Sequence, residues 1–533
     1  MRRALYRLLA GSAAALLAAA VVASPAAPAQ AAEPALGVHF PDIAVAAGDS
    51  GGKINALIAW IELPDTAAES QIGKFRVAVD AAGVSDLATV ATFDDLELAD
   101  QSCERAGTVI TCTLTGPFPL GAGPNLMLLL AVHVTAKPGA ATGATGKLAF
   151  TVQADDGPVV SHKSTVEIGD GVDLAAVDTA AVTVAPGAVG AADLRVANNG
   201  KLPVKSVVLA LFGWAEGLVD GAGFSNCTYG LLTVCTFDDV LAPGETYEFS
   251  TPIKVRMPAD AAAGSSAMAL GSWYTPSDFR EILSVLPGDP DDLLLGTPGK
   301  GGPVHLSAVA PAANASSSRS AAAQVDTKPD NNVLISEVVV AGSRKPDLAA
   351  IGATVTGSAG DRVHTRIGYR NDGPGTLHPS IFDNNEPATH VTVPDGLRAV
   401  AVDSRCMPAT EFDDDEDETE TVGATDYLCL TEDDNTKAKS SVLFAFTFEV
   451  LDDASDADGH VRINEESFTG GDFLDRDPGN DSAKIAVSFS GSGGGLAVTG
   501  ANAGLAGAAG AALLLAGGLG LLLARRRRVR FTS

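Results

Sequence analysis

The amino-acid sequence predicts an all-β chain of tandem β-sandwiches, with a signal peptide at the N-terminus and a transmembrane helix near the C-terminus. Three observations predict the sandwiches: short apolar runs broken by turn residues, few helix signals, and an internal repeat. The runs KSVVLALFGW and SVLFAFTFEVL are typical of strands of about five to ten residues. Regularly spaced short strands in an exported chain favour β-sandwiches.

The N-terminus has the three parts of a secretory signal peptide. Three arginines open it, an apolar run follows, and small residues end it at Ala29-Gln30-Ala31. Ala29 and Ala31 fit the small-x-small cleavage rule, so cleavage is expected after Ala31. The alternative is an N-terminal membrane anchor.

The chain between the two ends is strongly acidic. Residues 32–500 contain 28 Lys and Arg against 65 Asp and Glu, a net charge of −37. Nucleic acids and anionic lipids both need a positive protein surface, so neither is expected as a partner. The charge favours a solvated exported surface.

An internal repeat sharpens the prediction. One copy opens with DLAAVDTAAVTV at Asp173 and the other with DLAAIGATVTG at Asp347. Each continues with a turn of the Asn-x-Gly type and then a Gly-Leu step, and a cysteine follows nine residues after that leucine. The copies close with DTKPDNN and DRDPGND. Residues 33–170 resemble a more divergent first copy.

These observations divide the chain into seven consecutive segments. The signal peptide is 1–31, the β-sandwiches are 32–170, 171–345 and 346–490, a Gly-rich linker with the word LAVTG is 491–500, the transmembrane helix is 501–524, and the basic cytoplasmic tail is 525–533. The second sandwich carries a Gly- and Pro-rich insertion, 277–325, which is expected to be flexible. The third carries an acidic loop, 411–420, which is expected to be exposed.

Six cysteines fall as three local pairs, which predicts three disulfides because the chain is exported. The predicted pairs are Cys103–Cys112, Cys227–Cys235 and Cys406–Cys429. In the first two, short strands joined by a turn would place the cysteines side by side. The third pair would hold the base of the acidic loop. The alternative is free buried thiols.

The C-terminus combines three features in order. A Leu-x-x-Thr-Gly motif comes first and consists of Leu496, Ala497, Val498, Thr499 and Gly500. An uncharged apolar stretch follows it, and five arginines lie near the end of the chain. The stretch 503–524 would reach roughly 33 Å as a helix, enough for a bilayer core of about 30 Å. Hydropathy alone would make it a permanent anchor, with the arginines on the cytoplasmic side.

The three features together resemble the cell-wall sorting signal of Gram-positive surface proteins. The usual motif in that family is Leu-Pro-x-Thr-Gly. The form with Ala497 is similar to a variant of this motif found in high-GC actinobacteria such as Streptomyces. The resemblance implies that a sortase is a partner, cleaving between Thr499 and Gly500. A thioester on the Thr499 carbonyl would then pass the chain to a peptidoglycan amine.

The body, from about residue 170 to 490, resembles the Ig-like repeats of bacterial surface proteins. The Asp-Leu openings, the Asn-x-Gly turns and the Asp-x-x-Pro-x-Asn closings carry this resemblance. It implies tandem Ig-like β-sandwich domains and says almost nothing about a ligand.

No enzyme motif occurs: the sequence has no HExxH, GxSxG or phosphate-loop pattern, so no catalytic residue or cofactor is predicted. His378 and His390 flank PSIFDNNEPAT, where a metal could bind, but two exposed loop residues are the favoured interpretation. The acidic run lacks the order of a calcium loop, so no metal is predicted there. The opening strands at Asp173 and Asp347 contain no lysine, so no intramolecular Lys–Asn isopeptide bond is predicted.

The leading hypothesis is a non-enzymatic, wall-attached surface protein that presents a stalk or an adhesive array. One alternative is a membrane-retained protein that binds a polysaccharide or a protein ligand through its loop tips. Trp214, Trp273 and Tyr274 are the aromatic candidates for such binding, although core positions are more common for them. An exported hydrolase with accessory Ig domains is less favoured, since the repeats leave no catalytic-sized segment.

Overall fold

The computed structural model describes most of the chain between Leu36 and Phe489. The described residues are 36–64, 70–93, 100–213, 218–219, 221, 223–284, 296–310, 321–409, 422–431, 435–451, 459–464 and 474–489. The predicted signal peptide, sorting word, transmembrane helix, basic tail and acidic loop lie outside them. Within these ranges, no helix has both the length and the apolar character needed to cross a bilayer.

The first sandwich contains ten strands in two sheets. They are β1 (Leu36–His39), β2 (Ile43–Ala46), β3 (Lys53–Leu63), β4 (Ser70–Asp80), β5 (Ala88–Phe93), β6 (Asp100–Ala106), β7 (Val109–Leu120), β8 (Gly123–Ala136), β9 (Thr145–Ala154) and β10 (Val159–Val172). One sheet has the order β1-β3-β8-β5 and the other β2-β10-β9-β4-β7-β6.

The described part of the second sandwich contains fourteen strands and the helix α1 (Pro276–Ser284). The strands are β11 (Leu174–Val177), β12 (Val182–Val184), β13 (Val189–Ala192), β14 (Arg195–Asn198), β15 (Val207–Phe212), β16 (Cys227–Tyr229), β17 (Thr233–Phe237), β18 (Thr246–Phe249), β19 (Ile253–Arg256), β20 (Ser266–Tyr274), β21 (Thr297–Pro298), β22 (Leu306–Ala308), β23 (Gln324–Asp326) and β24 (Val333–Val340). Its main sheets are β11-β14-β18-β22 and β12-β24-β20-β15-β17-β16-β21.

Ten strands occur in the parts of the third sandwich that the structure describes. They are β25 (Leu348–Ile351), β26 (Ala353–Gly357), β27 (Arg362–Asn371), β28 (Thr389–Thr392), β29 (Leu397–Ala401), β30 (Cys406–Pro408), β31 (Asp426–Cys429), β32 (Ser441–Val450), β33 (Gly459–Ile463) and β34 (Ser482–Phe489). Its sheets are β25-β27-β32-β29 and β26-β34-β33-β28-β31-β30.

All three sandwiches share an Ig-like feature: the first strand is divided between the two sheets. In the first sandwich, β1 pairs antiparallel with β3, while β2 crosses to the other sheet and pairs in parallel with the last strand, β10. The parallel pairs β12–β24 and β26–β34 repeat this arrangement. The fold is therefore all-β and built from tandem Ig-like sandwiches. The first and third sandwiches have the same strand order, so the divergent first copy keeps the topology.

Side chains alternate between core and solvent along the longest strands, as a half-buried sheet requires. On β32, Phe444, Phe446 and Phe448 are buried, and the residues between them are not. Trp273 of β20 is fully buried in the second sandwich. The expectation of a core position is met for this tryptophan.

The described parts of the insertion 277–325 contain regular structure, and the flexibility of the insertion stays a prediction. Its described parts contain most of α1 and the strands β21, β22 and the first part of β23. β22 pairs with β18 at the sheet edge that β5 and β29 occupy in the other two sandwiches. These short strands pair with segments that are distant in the sequence, which composition does not reveal.

Candidate functional site

The three predicted disulfides are present, each between two neighbouring strands of the larger sheet. They join Cys103 to Cys112, Cys227 to Cys235, and Cys406 to Cys429. In every case the two cysteines are directly opposite each other in the strand register. The equivalent position of the three bonds supports the assignment of three related domains.

The first junction, between the first and second sandwiches, has no linker. β10 ends at Val172 and β11 begins at Leu174, so only Asp173 separates the two domains. β23 comes from the insertion of the second sandwich and pairs in parallel with the end of β10. Its Val325 packs against Ala44 and Ala46 of the first sandwich. The two domains thus share a sheet edge and a small apolar cluster.

The helix α1 begins at an N-cap threonine, Thr275. The backbone N–H of Asp278 donates to the Thr275 hydroxyl oxygen at 3.2 Å, and that hydroxyl donates to Asp278 Oδ2 at 2.7 Å. Pro276 occupies the first helical position, where its missing N–H has no consequence. This local chemistry fixes the start of the helix and points its first turn toward the first junction.

One lysine of the first sandwich binds two carboxylates of α1. Lys53 Nζ lies 2.6 Å from Asp278 Oδ1 and 2.8 Å from Glu281 Oε2. The Asn55 side-chain amide donates a hydrogen bond from Nδ2 to Glu281 Oε1 at 2.8 Å. Burial lowers the pKa of the Lys53 ammonium, but the two carboxylates outweigh it, so the net pKa is above its usual value. Burial raises the pKa of the Glu281 carboxyl, and the charge of Lys53 and the hydrogen bonds from Lys53 and Asn55 offset that effect only in part.

The repeat motif also has a structural meaning at this junction. The closing aspartate Asp326 accepts the N–H of Leu174 at 2.7 Å, and the opening aspartate Asp173 binds Lys328 Nζ at 2.7 Å. The opening and closing segments of the repeat therefore contact each other. Burial is the largest cause that raises the pKa of Asp326 to about 6.

The third sandwich has corresponding contacts between its opening and closing segments, but it has an aspartate where the second sandwich has an asparagine. Leu348 N–H donates to Asp475 Oδ1 at 3.3 Å, and Asn480 Nδ2 donates to Asp347 Oδ1 at 3.0 Å. Asp481 stands where the second sandwich has Asn332. Burial, followed by the adjacent Asp475, raises the pKa of Asp481 to about 8.

We expect the third sandwich to lose stability as the pH rises toward 8. Asp481 binds its proton more tightly in the folded chain than in the unfolded chain, where the pKa is 3.8, so stability falls between 3.8 and about 8. Asp481→Asn should flatten this dependence and raise the unfolding midpoint at pH above 8. Chemical denaturation across pH measures it, with the exposed Asp395→Asn as the control. An unchanged slope in Asp481→Asn would contradict the assignment.

The second junction, between the second and third sandwiches, is formed by the docking loop, residues 376–385. Thr376 N–H donates to Asp260 O at 2.9 Å, and Ala262 N–H donates to Thr376 O at 3.0 Å. Farther along the loop, Met268 N–H donates to Asp383 Oδ2 at 2.7 Å. Backbone groups of the second sandwich thus find their partners in the third.

An aromatic side chain and a buried amide complete the second junction. Phe382 is 1% exposed and belongs to a core cluster of the second sandwich that includes Met257 and Val338. The fully buried Asn385 donates Nδ2 to Ser265 Oγ at 2.9 Å, and its Oδ1 accepts the His378 N–H at 2.9 Å. An apolar anchor with satisfied polar neighbours is the arrangement expected of a stable interface.

The expectation of two exposed loop histidines is wrong. His378 is 7% exposed, and its Nε2 lies 3.1 Å from Asp260 Oδ1 across the second junction. His390 belongs to β28, and its Nε2 lies 3.3 Å from Asp426 Oδ1. The segment between them folds onto the second sandwich, which covers His378. No group of three or more metal-ligating side chains with suitable geometry occurs among the described residues.

Sequence reasoning missed the residues that join the domains, although one signal was present. The word TPSD, at 275–278, is a capping-box pattern followed by apolar residues, which marks a helix start. Trp60 was also overlooked among the aromatic candidates: it is 39% exposed on β3 and lies over Gly37. Trp214 lies outside the described residues.

Similarity to known proteins is limited to weak matches among solved structures. No protein-family model matches the sequence, and no curated protein matches it. Among solved structures, a Corynebacterium diphtheriae protein described as membrane anchored is 9% identical, with 86% of this chain and 93% of that chain covered and a TM-score of 0.16. An I-band fragment of titin is 7% identical, with 86% and 100% covered and a TM-score of 0.15. At such TM-scores the neighbours carry no argument about function.

Proposed function

We propose that this chain is a non-enzymatic surface protein that is exported, cleaved by a sortase after Thr499 and attached covalently to peptidoglycan. The order of signals carries the proposal: a cleavable N-terminus, an acidic body with disulfides, and Leu496 to Gly500 followed by an apolar stretch and arginines. Each signal is weak alone, but their order and spacing match a single export route.

The body would act as a stalk that holds its first sandwich away from the wall. The two junctions support this role, because neither is a flexible linker. One shares a sheet edge across Asp173, and the other buries Phe382 in the neighbouring domain. Domains joined through buried contacts resist bending more than domains joined by exposed linkers.

The anchoring step would use the protein as a substrate. A sortase cysteine would attack the Thr499 carbonyl, and Gly500 would leave with the apolar stretch and the arginines. A peptidoglycan amine would then take the acyl group. The run of glycines at 493–495 would keep the Leu-x-x-Thr-Gly motif extended and accessible to the sortase.

Fractionation of the native host tests the anchoring. Muramidase should release a species that ends at Thr499, whereas Thr499→Ala should remain full length and be extracted by detergent. Val498→Ala is the matched control, since any residue is allowed at that position of the Leu-x-x-Thr-Gly motif. If detergent alone frees the full-length wild-type chain, wall attachment is excluded and the membrane-retained alternative holds.

A further inference from the structure

The outer face of the smaller sheet in the first sandwich carries an exposed tryptophan. Trp60 lies on β3 and is 39% exposed. It is directly opposite Gly37 of β1 and opposite Leu126 of β8, which is 38% exposed. Side chains alternate along a strand, so the exposed Glu62 lies on the same face. Trp60, Leu126 and Glu62 therefore form one surface, which we call the outer patch.

The indole ring of Trp60 lies flat on the sheet. A Cβ placed on Gly37 would be 2.1 Å from the ring-fusion carbon Cε2 and 2.4 Å from both Cζ2 and Nε1, which are bonded to it. That point must stand above the ring plane, because an approach within the plane would meet Cζ2 or Nε1 before Cε2. One face of the indole therefore covers Gly37, and the exposed area of Trp60 is mainly the opposite face.

The fold does not require apolar side chains on this face. In the third sandwich, β27 takes the position of β3 in a sheet of the same strand order. The exposed residues of β27 are all basic or histidine: Arg362, His364, Arg366 and Arg370. Those of β3 are Ile54, Trp60 and Glu62. Because a related domain carries charged residues on this strand, the exposed tryptophan is a property of the first sandwich rather than of the fold.

We propose that the outer patch binds a neutral β-1,4-linked polysaccharide, with one pyranose ring stacked on the exposed face of Trp60. A pyranose with equatorial substituents presents axial C–H groups to a flat aromatic ring, whose face is electron-rich. Leu126 extends the apolar contact along the sugar chain, and the Glu62 carboxylate accepts hydrogen bonds from sugar hydroxyls. The sequence predicted ligand binding at loop tips, whereas Trp60 lies within a strand. The proposal does not depend on how the chain is anchored.

The size of the outer patch favours a sugar chain over a second protein. The exposed 39% of Trp60 amounts to about 100 Å², since a tryptophan side chain can bury up to about 250 Å². A stable protein interface buries about 800 Å² on each partner, far more than Trp60 and Leu126 supply. A single sugar ring is similar in size to the indole, so a stacked ring makes full use of the surface that is available.

The charge of the first sandwich favours a neutral ligand. Residues 33–170 contain 17 Asp and Glu against 7 Lys and Arg. This excess of negative charge repels an anionic polymer, and the repulsion is strongest at low ionic strength, where it is least screened. Glu62 also places a carboxylate within the outer patch itself. A chain without charged groups is therefore the class of polysaccharide that fits this surface.

Affinity electrophoresis and calorimetry with the purified full chain test the site. Hydroxyethyl cellulose in a native gel should retard the wild type, and cellohexaose should give a measurable heat of binding. Carboxymethyl cellulose has the same backbone with negative charges, so it should retard the protein less at low ionic strength. The proposal is overturned if neither neutral probe binds, or if the anionic polymer binds more tightly than the neutral one.

Variants at two positions locate the binding surface. Trp60→Ala should weaken binding of cellohexaose by about tenfold or more, because the stacked apolar area is lost. Gly37→Ala keeps the tryptophan but places a methyl group where the indole lies, so it should displace the ring and also weaken binding. Phe212→Ala, at an aromatic residue of the second sandwich that is likewise 39% exposed, is the matched control and should bind as the wild type does. Unchanged affinity in both Trp60→Ala and Gly37→Ala would reject the site.

Tryptophan fluorescence covers the case in which Trp60→Ala folds poorly. Cellohexaose should change the emission of the wild type, whereas Trp60→Phe should lose this change and keep part of the heat of binding. If the change persists in Trp60→Phe, the sugar contacts a different tryptophan and the site is rejected. Sedimentation without sugar tests the competing occupant: a wild-type dimer that Trp60→Phe or Gly37→Ala dissociates would mean that the outer patch docks a second copy, which would overturn the proposal.

Discussion

Replacing Phe382 by alanine should separate the second and third sandwiches. Phe382 is 1% exposed, and it lies in the core cluster of the second sandwich although it belongs to a loop of the third. Truncating a buried phenylalanine to alanine costs about 3–5 kcal/mol, from lost burial and from the cavity that remains. Here most of that loss falls on the contact between the domains, so the docking loop should detach.

Denaturant unfolding and small-angle scattering measure this effect. The wild type should show coupled unfolding of the second and third sandwiches, whereas Phe382→Ala should show separate transitions and a broader distribution of lengths. Limited proteolysis should also cut faster between Ala341 and Asp347. Phe212→Ala, at a residue that is 39% exposed on the second sandwich, is the matched control. Wild-type coupling in Phe382→Ala would mean that the backbone hydrogen bonds alone hold the junction.

Removing the third disulfide should destabilise the third sandwich by about 3 kcal/mol. Cys406 and Cys429 are separated by 23 positions, the largest interval of the three pairs. In the chain-entropy model a longer closed loop restricts the unfolded chain more, so this bond contributes most. The loop between them includes the acidic segment, whose like charges would drive the strands apart once the bond is lost.

The double variant Cys406→Ala with Cys429→Ala tests this, since replacing both cysteines leaves no unpaired thiol. Its unfolding midpoint in denaturant should fall under oxidising conditions, and the fall should be smaller in high salt, where the acidic segment is screened. The control is the double variant Cys227→Ala with Cys235→Ala. The disulfide that it removes closes an interval of only 8, so this variant should lose less stability. Equal losses in both would argue against the loop-closure explanation.

Much of the architecture could be predicted because it depends on local patterns. Alternating apolar residues and turn words indicate strands, and the repeat from Asp173 and Asp347 indicates related domains. The cysteine intervals were equally informative, because the two members of each pair lie on adjacent strands. Local spacing suffices when the partners are neighbours along the chain.

The junctions could not be predicted in the same way. Lys53 and Asp278 are 225 positions apart, and no periodicity connects them. The segment around Phe382 resembled an exposed loop between two histidines, since a single phenylalanine in a polar segment does not show which surface will cover it. Within the insertion, β22 pairs with β18, a partner that composition does not reveal.

The sequence by itself determined the all-β class and the disulfide pairs, whereas the division into three domains and the export signals stay predictions. Each of these depends on residues that are close together or on a pattern that repeats. Only the tertiary structure decided that the domains are joined without flexible linkers, and which lysine meets which carboxylates. Those features depend on where whole sandwiches pack, and packing is a property of surfaces that distant segments build together.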